Sequence, residues 1–256
     1  MDNGKSNVSK FLLLFAALLV VDFLQDYLRE YLRDIFISSN ANSLILPVSL
    51  LLQFGILLPV LLKITKTKLS ELGLNVKNLK SGFLMSLKYF LWLIVLDLIF
   101  TFIQAYSSYK SFEPVYHWSI LKIFSEGWSQ FFSIMTYTVL WQEIIPRGLL
   151  FVFLLKLGFD RQFNIKFFKI NQAIFFSALY FSLMHLKNFF AIRSPGEIIY
   201  AFAYLFGALI VGYMLGLIRK KTGSLMWPVL LHSFNNFGEW TLTTMIPIIL
   251  INQIPK

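Results

Sequence analysis

The 256-residue sequence contains no cysteine and few charged side chains. Without cysteine, the chain has no disulfide, no thiolate metal ligand and no cysteine nucleophile. Charged residues make up 14% of the sequence, against about 25% in an ordinary soluble domain, whereas 57% of the residues are hydrophobic. A soluble fold of this size cannot hide so much apolar surface, and a disordered chain requires low hydrophobicity and high charge. The composition excludes both classes and predicts a helical membrane protein.

Apolar stretches recur along the whole chain and predict an all-α, polytopic transmembrane helical bundle with about seven or eight spans. Several stretches have about 20 residues, the length of helix that crosses roughly 30 Å of hydrocarbon. The shorter ones suit helices that are buried among other helices. The predicted spans are 11–25, 43–62, 82–105, 131–155, 172–186, 197–218, 224–238 and a last short one at 241–253.

Basic residues are distributed unevenly between the two sides of this predicted bundle. The net charge is +10, with 23 Lys and Arg against 13 Asp and Glu. When the N-terminus is placed inside, 14 Lys and Arg fall in inside segments and 6 in outside loops. This asymmetry predicts a multi-pass protein of the cell membrane with a cytoplasmic N-terminus. Basic charge that faces anionic membrane lipid also accounts for the net charge without nucleic acid, for which the sequence has no recognition motif.

The sequence suggests three parts rather than separate soluble domains. Residues 1–130 hold N-terminal transmembrane helices and loops, 131–240 hold a core with polar residues in its spans, and 241–256 form a short C-terminal helix or tail. The segment 164–170 mixes aromatic and basic residues, and we expect it to lie at the membrane interface.

Ionisable side chains inside apolar spans are costly and are candidates for function. Glu143 and Arg147 lie four residues apart, so they share a helix face and can pair. Pro146 lies between them and is expected to kink the helix. Two histidines and an asparagine occur in later spans. The whole set is Glu143, Arg147, His185, His232 and Asn236.

Three interpretations of this polar set compete. In the first, the side chains converge on a pocket that holds a water and polarises a carbonyl group. In the second, they form a hydrogen-bonded network that holds the helices together. A third interpretation, a small transporter, requires a continuous polar path or repeat symmetry, and the sequence shows neither. Five such side chains in three spans favour the first interpretation.

Three short motifs occur in order in separate predicted spans. They read Gln142-Glu143-x-x-x-Arg147, Phe181-x-x-x-His185 and His232-x-x-x-Asn236. These segments resemble the CPBP family, also called the Abi or CAAX-protease-like family of intramembrane proteases. The family motifs are Glu-Glu-x-x-x-Arg, Phe-x-x-x-His and His-x-x-x-Asn. The resemblance covers about 140–240 well and the first half of the chain weakly, with similar flanking sequence at 148–150, 223–228 and 69–74.

The resemblance implies a bacterial intramembrane endopeptidase that cleaves a membrane-associated peptide or protein. Eukaryotic members remove the last three residues of prenylated CAAX proteins, and many bacterial members take part in peptide processing or bacteriocin self-immunity. By the same resemblance, glutamate and His185 activate water, His232 and Asn236 bind the oxyanion, and Arg147 holds a glutamate in place. The core at 131–240 would then be the catalytic one.

One motif position departs from the family pattern. Gln142 stands where the first glutamate is expected, and glutamine cannot accept a proton at neutral pH. Glu143 does not simply replace it, because consecutive helix residues point about 100° apart. Three explanations stay open: a natural pseudo-protease, an engineered inactive variant, or an enzyme in which Glu143 is the base. The alternative function is a catalytically silent membrane binding or immunity protein.

Metal binding is a separate question. Glu143, His185 and His232 would supply the two histidines and one carboxylate of a catalytic zinc site. The sequence contains no His-Glu-x-x-His motif, and a water activated by glutamate needs no metal. We therefore expect no required cofactor, with divalent zinc at these three residues as the alternative.

Overall fold

A computed structural model describes residues 3–38, 45–108, 139–165, 168–186 and 195–236. The first part of the described chain is helical, with one π-helical segment and one short 3₁₀ turn. Its elements are α1 (Asn3–Ser38), α2 (Ile45–Leu50), the π-helical segment Leu51–Leu57, α3 (Leu58–Thr65), the 3₁₀ turn Leu69–Leu72 and α4 (Leu79–Ser108).

The second part contains shorter helices and a small hairpin. Its elements are α5 (Leu140–Glu143), the π-helical segment Ile144–Leu150, α6 (Phe151–Lys156), β1 (Gln162–Ile165), β2 (Phe168–Asn171), α7 (Gln172–Leu183), α8 (Pro195–Thr222) and α9 at 226–236.

Four helical stretches in the described residues are long and apolar enough to cross a membrane. They are Ser6–Leu28, Pro47–Thr65, Leu79–Ile99 and Ala201–Thr222. They correspond to the spans predicted at 11–25, 43–62, 82–105 and 197–218, and the helical membrane fold class is confirmed. The span predicted at 241–253 and the first part of the one at 131–155 lie outside the described residues.

The short helix α7 lies in the interior of the bundle. It begins at Asn171, whose side chain accepts a hydrogen bond from the Ile174 amide at 3.1 Å and caps the helix. The 12 residues of α7 are too few to cross the hydrocarbon, and α7 packs against α8. Gly212 of α8 permits the close contact, since a Cβ there would lie 3.1 Å from the Ala178 Cα. The predicted short span at 172–186 is therefore a buried helix.

Helix α1 is attached to this interior by a buried carboxylate. Asp22 accepts hydrogen bonds from Trp141 Nε1, at 3.3 Å, and from the Tyr180 hydroxyl. Asp22 is 8% exposed, and its acid group is therefore satisfied by donors from two other helices. This acid in the first span therefore has a structural role.

The hairpin was not predicted. β1 and β2 pair antiparallel, with Gln162 opposite Asn171 and Ile165 opposite Phe168. The location of segment 164–170 at the membrane interface stays a prediction. Polar and apolar residues alternate in Gln162–Ile165, which is the pattern of a strand with one face covered. Four residues are too few for that alternation to stand out until a partner strand is known.

Three segments that were predicted to lie inside meet at one end of the bundle. Lys156 Nζ donates to Glu71 Oε2 at 2.8 Å, and Lys220 pairs with Asp160. Arg219 Nη2 donates to the Glu71 carbonyl at 3.0 Å. The Lys156 hydrogen bond holds the pKa of the Glu71 carboxyl below its usual range, and Lys220 does the same for the pKa of Asp160.

The turn at this end depends on one glycine. Gly73 has a φ of 79°, and a Cβ at this position would lie 2.6 Å from the Arg219 guanidinium carbon. The Gly73 carbonyl also accepts the Leu225 amide at 2.7 Å, which joins the turn to the start of α9. Only a residue without a side chain fits this conformation and this contact.

Candidate active site

The helix that carries Glu143 changes its winding directly after this residue. α5 ends at Glu143, and Ile144–Leu150 continue as a π-helical segment in which every residue is buried. We expected Pro146 to kink the helix, and the structure accommodates it by the wider winding. The Pro146 carbonyl accepts a hydrogen bond from Ser177 Oγ at 2.8 Å, which attaches the segment to α7. Short π-helical segments occur frequently at functional sites.

Glu143 and Arg147 form an ion pair with no exposed side-chain surface. Arg147 Nη1 lies 3.1 Å from Glu143 Oε1, and both side chains are 0% exposed. The same nitrogen donates to the Gln142 carbonyl at 3.2 Å. The sequence predicted this pairing from the spacing of four residues. Because burying a single charge is very costly, each of the two ions requires the other.

His232 joins this pair from α9, 89 residues further along the chain. Its Nδ1 atom lies 2.7 Å from Glu143 Oε1, so that one carboxylate oxygen binds both Arg147 and the imidazole. His232 is 3% exposed. The second carboxylate oxygen, Oε2, is buried and makes no hydrogen bond to any residue that the structure describes. Glu143 therefore has one occupied oxygen and one with spare acceptor capacity.

The Phe181 ring lies at the centre of the site. The Arg147 guanidinium carbon is 4.0 Å from the ring centroid, which is the geometry of a cation–π contact. The rings of His185 and His232 lie 5.0 Å and 5.3 Å from the same centroid. In the sequence, Phe181 was recognised only as the first position of a motif, and its central place in the site was not predicted. Its spacing of four residues before His185 was the available signal for a shared face.

The remaining predicted residues lie around this cluster. His185 is half-buried, and its Nδ1 atom lies 2.8 Å from the Phe181 carbonyl oxygen. The rings of His185 and His232 both contact the Phe181 ring. Asn236 is half-buried and follows His232 by one turn, at the end of the described part of α9. Gln142 is half-buried and contributes its carbonyl to Arg147. The structure thus joins Glu143, Arg147 and His232 directly.

Comparison with known protein families agrees with this arrangement. Residues 124–238 match the family model described as type II CAAX prenyl endopeptidase, Rce1-like. All three motifs fall within that interval, which covers somewhat less than half of the chain. Over these residues, the chain is similar to the Rce1-like family. Comparisons with curated proteins and with solved structures return no significant match.

The match to the Rce1-like family model confirms the resemblance inferred from the motifs. At the level of the family, the activity is that of an endopeptidase, a hydrolase that acts on peptides at the membrane. The four candidate spans agree with a membrane location. The bacterial origin inferred from the sequence stays a prediction.

Zinc binding by Glu143, His185 and His232 was the alternative that the sequence left open. Within 3–38, 45–108, 139–165, 168–186 and 195–236, no three His, Asp or Glu side chains are grouped closely enough to hold a metal ion. Glu143 and His232 touch, and His185 does not complete a group of three with them. The described residues therefore do not fit a site with two histidines and one carboxylate.

Arg219 supports the site, a role that was not predicted from the sequence. Arg219 Nε donates to the Arg147 carbonyl at 3.3 Å, while its Nη2 atom holds the Glu71 carbonyl. Arg219 is 7% exposed and lies at the end of α8. In the sequence it was one of three consecutive basic residues, which indicated only a side of the membrane. No spacing rule connects it to Arg147, 72 residues earlier.

Proposed function

We propose that this chain is a CAAX-protease-like membrane endopeptidase in which Glu143 activates the attacking water. The observation that carries the proposal is the buried carboxylate of Glu143, with Oε1 bound by Arg147 and His232 and Oε2 without a partner among the described residues. A general base must be fixed in orientation and still have an oxygen that accepts a proton. Glu143 meets both requirements.

In the proposed reaction, Glu143 Oε2 takes a proton from water as the hydroxyl oxygen adds to the peptide carbonyl carbon. The carbonyl becomes an oxyanion, for which His232 Nε2 and the Asn236 amide are the proposed donors. The carbon–nitrogen bond then breaks, and the proton held by Glu143 passes to the leaving amine. His185 orients the water, and Arg147 is a positioning residue that holds the Glu143 carboxylate in place.

Gln142 favours a second candidate function. If the first motif position supplies the base, then a glutamine there makes the chain a silent membrane protein that binds a peptide, such as an immunity factor. The two candidates differ in whether this chain cleaves at all. Peptide processing or bacteriocin self-immunity is the role that we propose for the active form, and membrane binding or immunity is the role that we propose for the silent form.

A cleavage assay in liposomes separates these candidates. The substrates are quenched membrane peptides, one of them a prenylated CAAX peptide, and the chain is compared with Glu143→Gln, Gln142→Glu and His185→Ala. Gln172→Glu places the same chemical change on the first turn of α7 and is the matched control. The proposal expects cleavage by the unchanged chain and by Gln172→Glu, with loss in Glu143→Gln. Cleavage by Gln142→Glu alone would establish the silent form.

The proposed topology is multi-pass with a cytoplasmic N-terminus, and the three proposed parts are 1–130, 131–240 and 241–256. Contacts among Glu71, Lys156 and Arg219 support one shared side for the basic segments. A cysteine placed at Ser70 should react with an impermeant maleimide only after the membrane is opened. A cysteine at Ser6, before the predicted first span, is expected to behave in the same way.

A further inference from the structure

A groove lies between α4 and α9, lined by residues other than those of the Glu143 cluster. Its volume is about 330 Å³, within the range of cavities that take small-molecule ligands. Its walls are apolar side chains of α4 and α9, and they include Phe83, Leu87, Phe90, Trp227, Leu230 and Phe234. No titratable side chain of the described residues lines it.

The position of the groove indicates the kind of ligand that reaches it. Its α4 wall belongs to the candidate span Leu79–Ile99, so it faces hydrocarbon rather than water. Phe83 and Leu87 are 57% and 46% exposed, and the groove is therefore open on its lipid side. A flexible hydrocarbon chain can enter such a groove without losing any hydrogen bond to water.

One end of the groove is basic. Lys80 precedes Phe83 by three residues and Leu87 by seven, so the three side chains lie on one face of α4. The carbonyl of Lys77 accepts a hydrogen bond from Trp227 Nε1 at 3.1 Å, which fixes residue 77 at the same end. Both lysines are exposed. This end of the groove is therefore complementary to a negatively charged headgroup.

A hydroxyl group also belongs to the lining of the groove. Ser86 lines the groove, and its Oγ atom is buried without a hydrogen bond to the described residues. A buried donor without an acceptor is costly, and a ligand that brings an acceptor removes this cost. Ser86 lies six residues after Lys80, or about 9 Å along the helix axis. Polar headgroup, ester carbonyl and acyl chain follow one another in this order in a glycerophospholipid.

We propose that the groove is a binding site for an anionic glycerophospholipid. The phosphate contacts Lys77 and Lys80, an ester carbonyl accepts the Ser86 hydroxyl, and one acyl chain lies between α4 and α9. This site is separate from the proposed peptidase chemistry and does not depend on it.

Photo-cross-linking of the full chain in phosphatidylcholine nanodiscs tests the site. Two probes carry the same diazirine in one acyl chain, and they differ only in a phosphoglycerol or a phosphocholine headgroup. Labelled residues are mapped by mass spectrometry of peptides. Labelling by the anionic probe is expected to be concentrated at 83–90 and 227–234 and to exceed that by the zwitterionic probe. Free glycerophosphate should not compete, since it lacks the acyl chain.

Three variants sharpen the test. Lys77→Gln and Lys80→Gln are each expected to lower labelling by the anionic probe about fivefold, with labelling by the zwitterionic probe unchanged. Lys63→Gln changes an exposed lysine at the end of α3 and should have no effect. Leu230→Trp fills the groove and should reduce labelling by both probes there, while a thermal melt checks its folding. Equal labelling by the two probes, or labelling spread evenly over the four candidate spans, would overturn the proposal.

Discussion

Two acid–base pairs in this protein have the same chemistry and opposite surroundings. The Glu143–Arg147 pair is 0% exposed on both side chains, whereas the side chains of Glu71 and Lys156 are each 36% exposed. Water and salt screen the second pair, so its net contribution to stability is small. In the first pair, either ion alone would be a buried charge. Burial therefore makes each residue of the Glu143 pair indispensable to the other.

The two carboxylates also differ in how completely they are used. Glu71 Oε2 accepts both the Lys156 side chain and the Lys68 amide, and its role is to hold a turn. Glu143 concentrates its two donors on one oxygen and leaves the other without a hydrogen bond in the described residues. A carboxylate that only stabilises a fold has no use for such a buried acceptor. This contrast is the reason to assign proton transfer to Glu143.

The largest effect is expected from removing one member of the buried pair. Glu143→Leu leaves Arg147 charged and unpaired, and we expect it to lower the free energy of unfolding by about 3–5 kcal/mol. In the double variant Glu143→Leu, Arg147→Met no buried charge remains, and most of the stability should return without peptidase activity. Thermal unfolding in detergent, followed by circular dichroism, measures both. A single variant as stable as the parent would contradict the pairing.

A smaller loss is expected at the third member of the cluster. His232→Ala removes a hydrogen bond to a charged acceptor, which is worth about 1.5–3 kcal/mol. His185→Ala is the comparison, since the His185 Nδ1 atom contacts the Phe181 carbonyl, a neutral acceptor. A double-mutant cycle with Glu143→Gln isolates the His232 contribution. Additive losses in that cycle would mean that the 2.7 Å contact has no energetic weight.

Packing behind the cluster can be disturbed without replacing a polar side chain. A Cβ on Gly212 would lie 3.1 Å from Arg147 Nη2 and 3.1 Å from Phe181 Cδ1. Gly212→Ala is therefore expected to cost about 1–3 kcal/mol and to reduce cleavage by displacing Arg147. Gly55→Ala is the control, because its nearest neighbour is the flexible end of Leu51. Equal melting temperatures for both variants would show that the Gly212 contact relaxes freely.

The smallest effect is expected at the exposed pair. Glu71→Gln should cost at most about 1 kcal/mol at neutral pH, and less in high salt. The pKa of the folded Glu71 carboxyl lies below its ordinary value of 4.5, so its stabilisation is present above that value. As the pH falls through the lowered pKa, the stabilisation is lost. The parent and Glu71→Gln should therefore converge in stability in acid, and a difference that grows there would contradict this assignment.

Local patterns were sufficient to predict much of the fold. Apolar stretches of about 20 residues gave the four spans because a helix must be that long to cross the bilayer. The spacing of Glu143 and Arg147 gave their pairing because residues four apart share a helix face. In both cases, the determining feature lies within one helix and depends only on residues that are close in the sequence.

Contacts between distant segments were not accessible in the same way. Nothing in the sequence directs His232 to Glu143 rather than to another acceptor, and the three-motif resemblance was the only guide. The hydrogen bond from Arg219 to the Arg147 carbonyl depends on how helices pack. The pairing of Asn164 with Lys169 is local, but strands of four residues are too short for their alternation to stand out. The π-helical winding after Glu143 arises from Pro146 together with Ser177 on another helix.

The complete burial of Ile144–Leu150 has a consequence for the electric environment of the site. A membrane helix usually turns one side to hydrocarbon, a medium that has no dipoles able to respond to a charge. This segment is surrounded by protein on every side, so backbone carbonyls and amides can be oriented towards the ions before any substrate arrives. The surrounding protein thus acts as a fixed polar solvent for the Glu143–Arg147 pair.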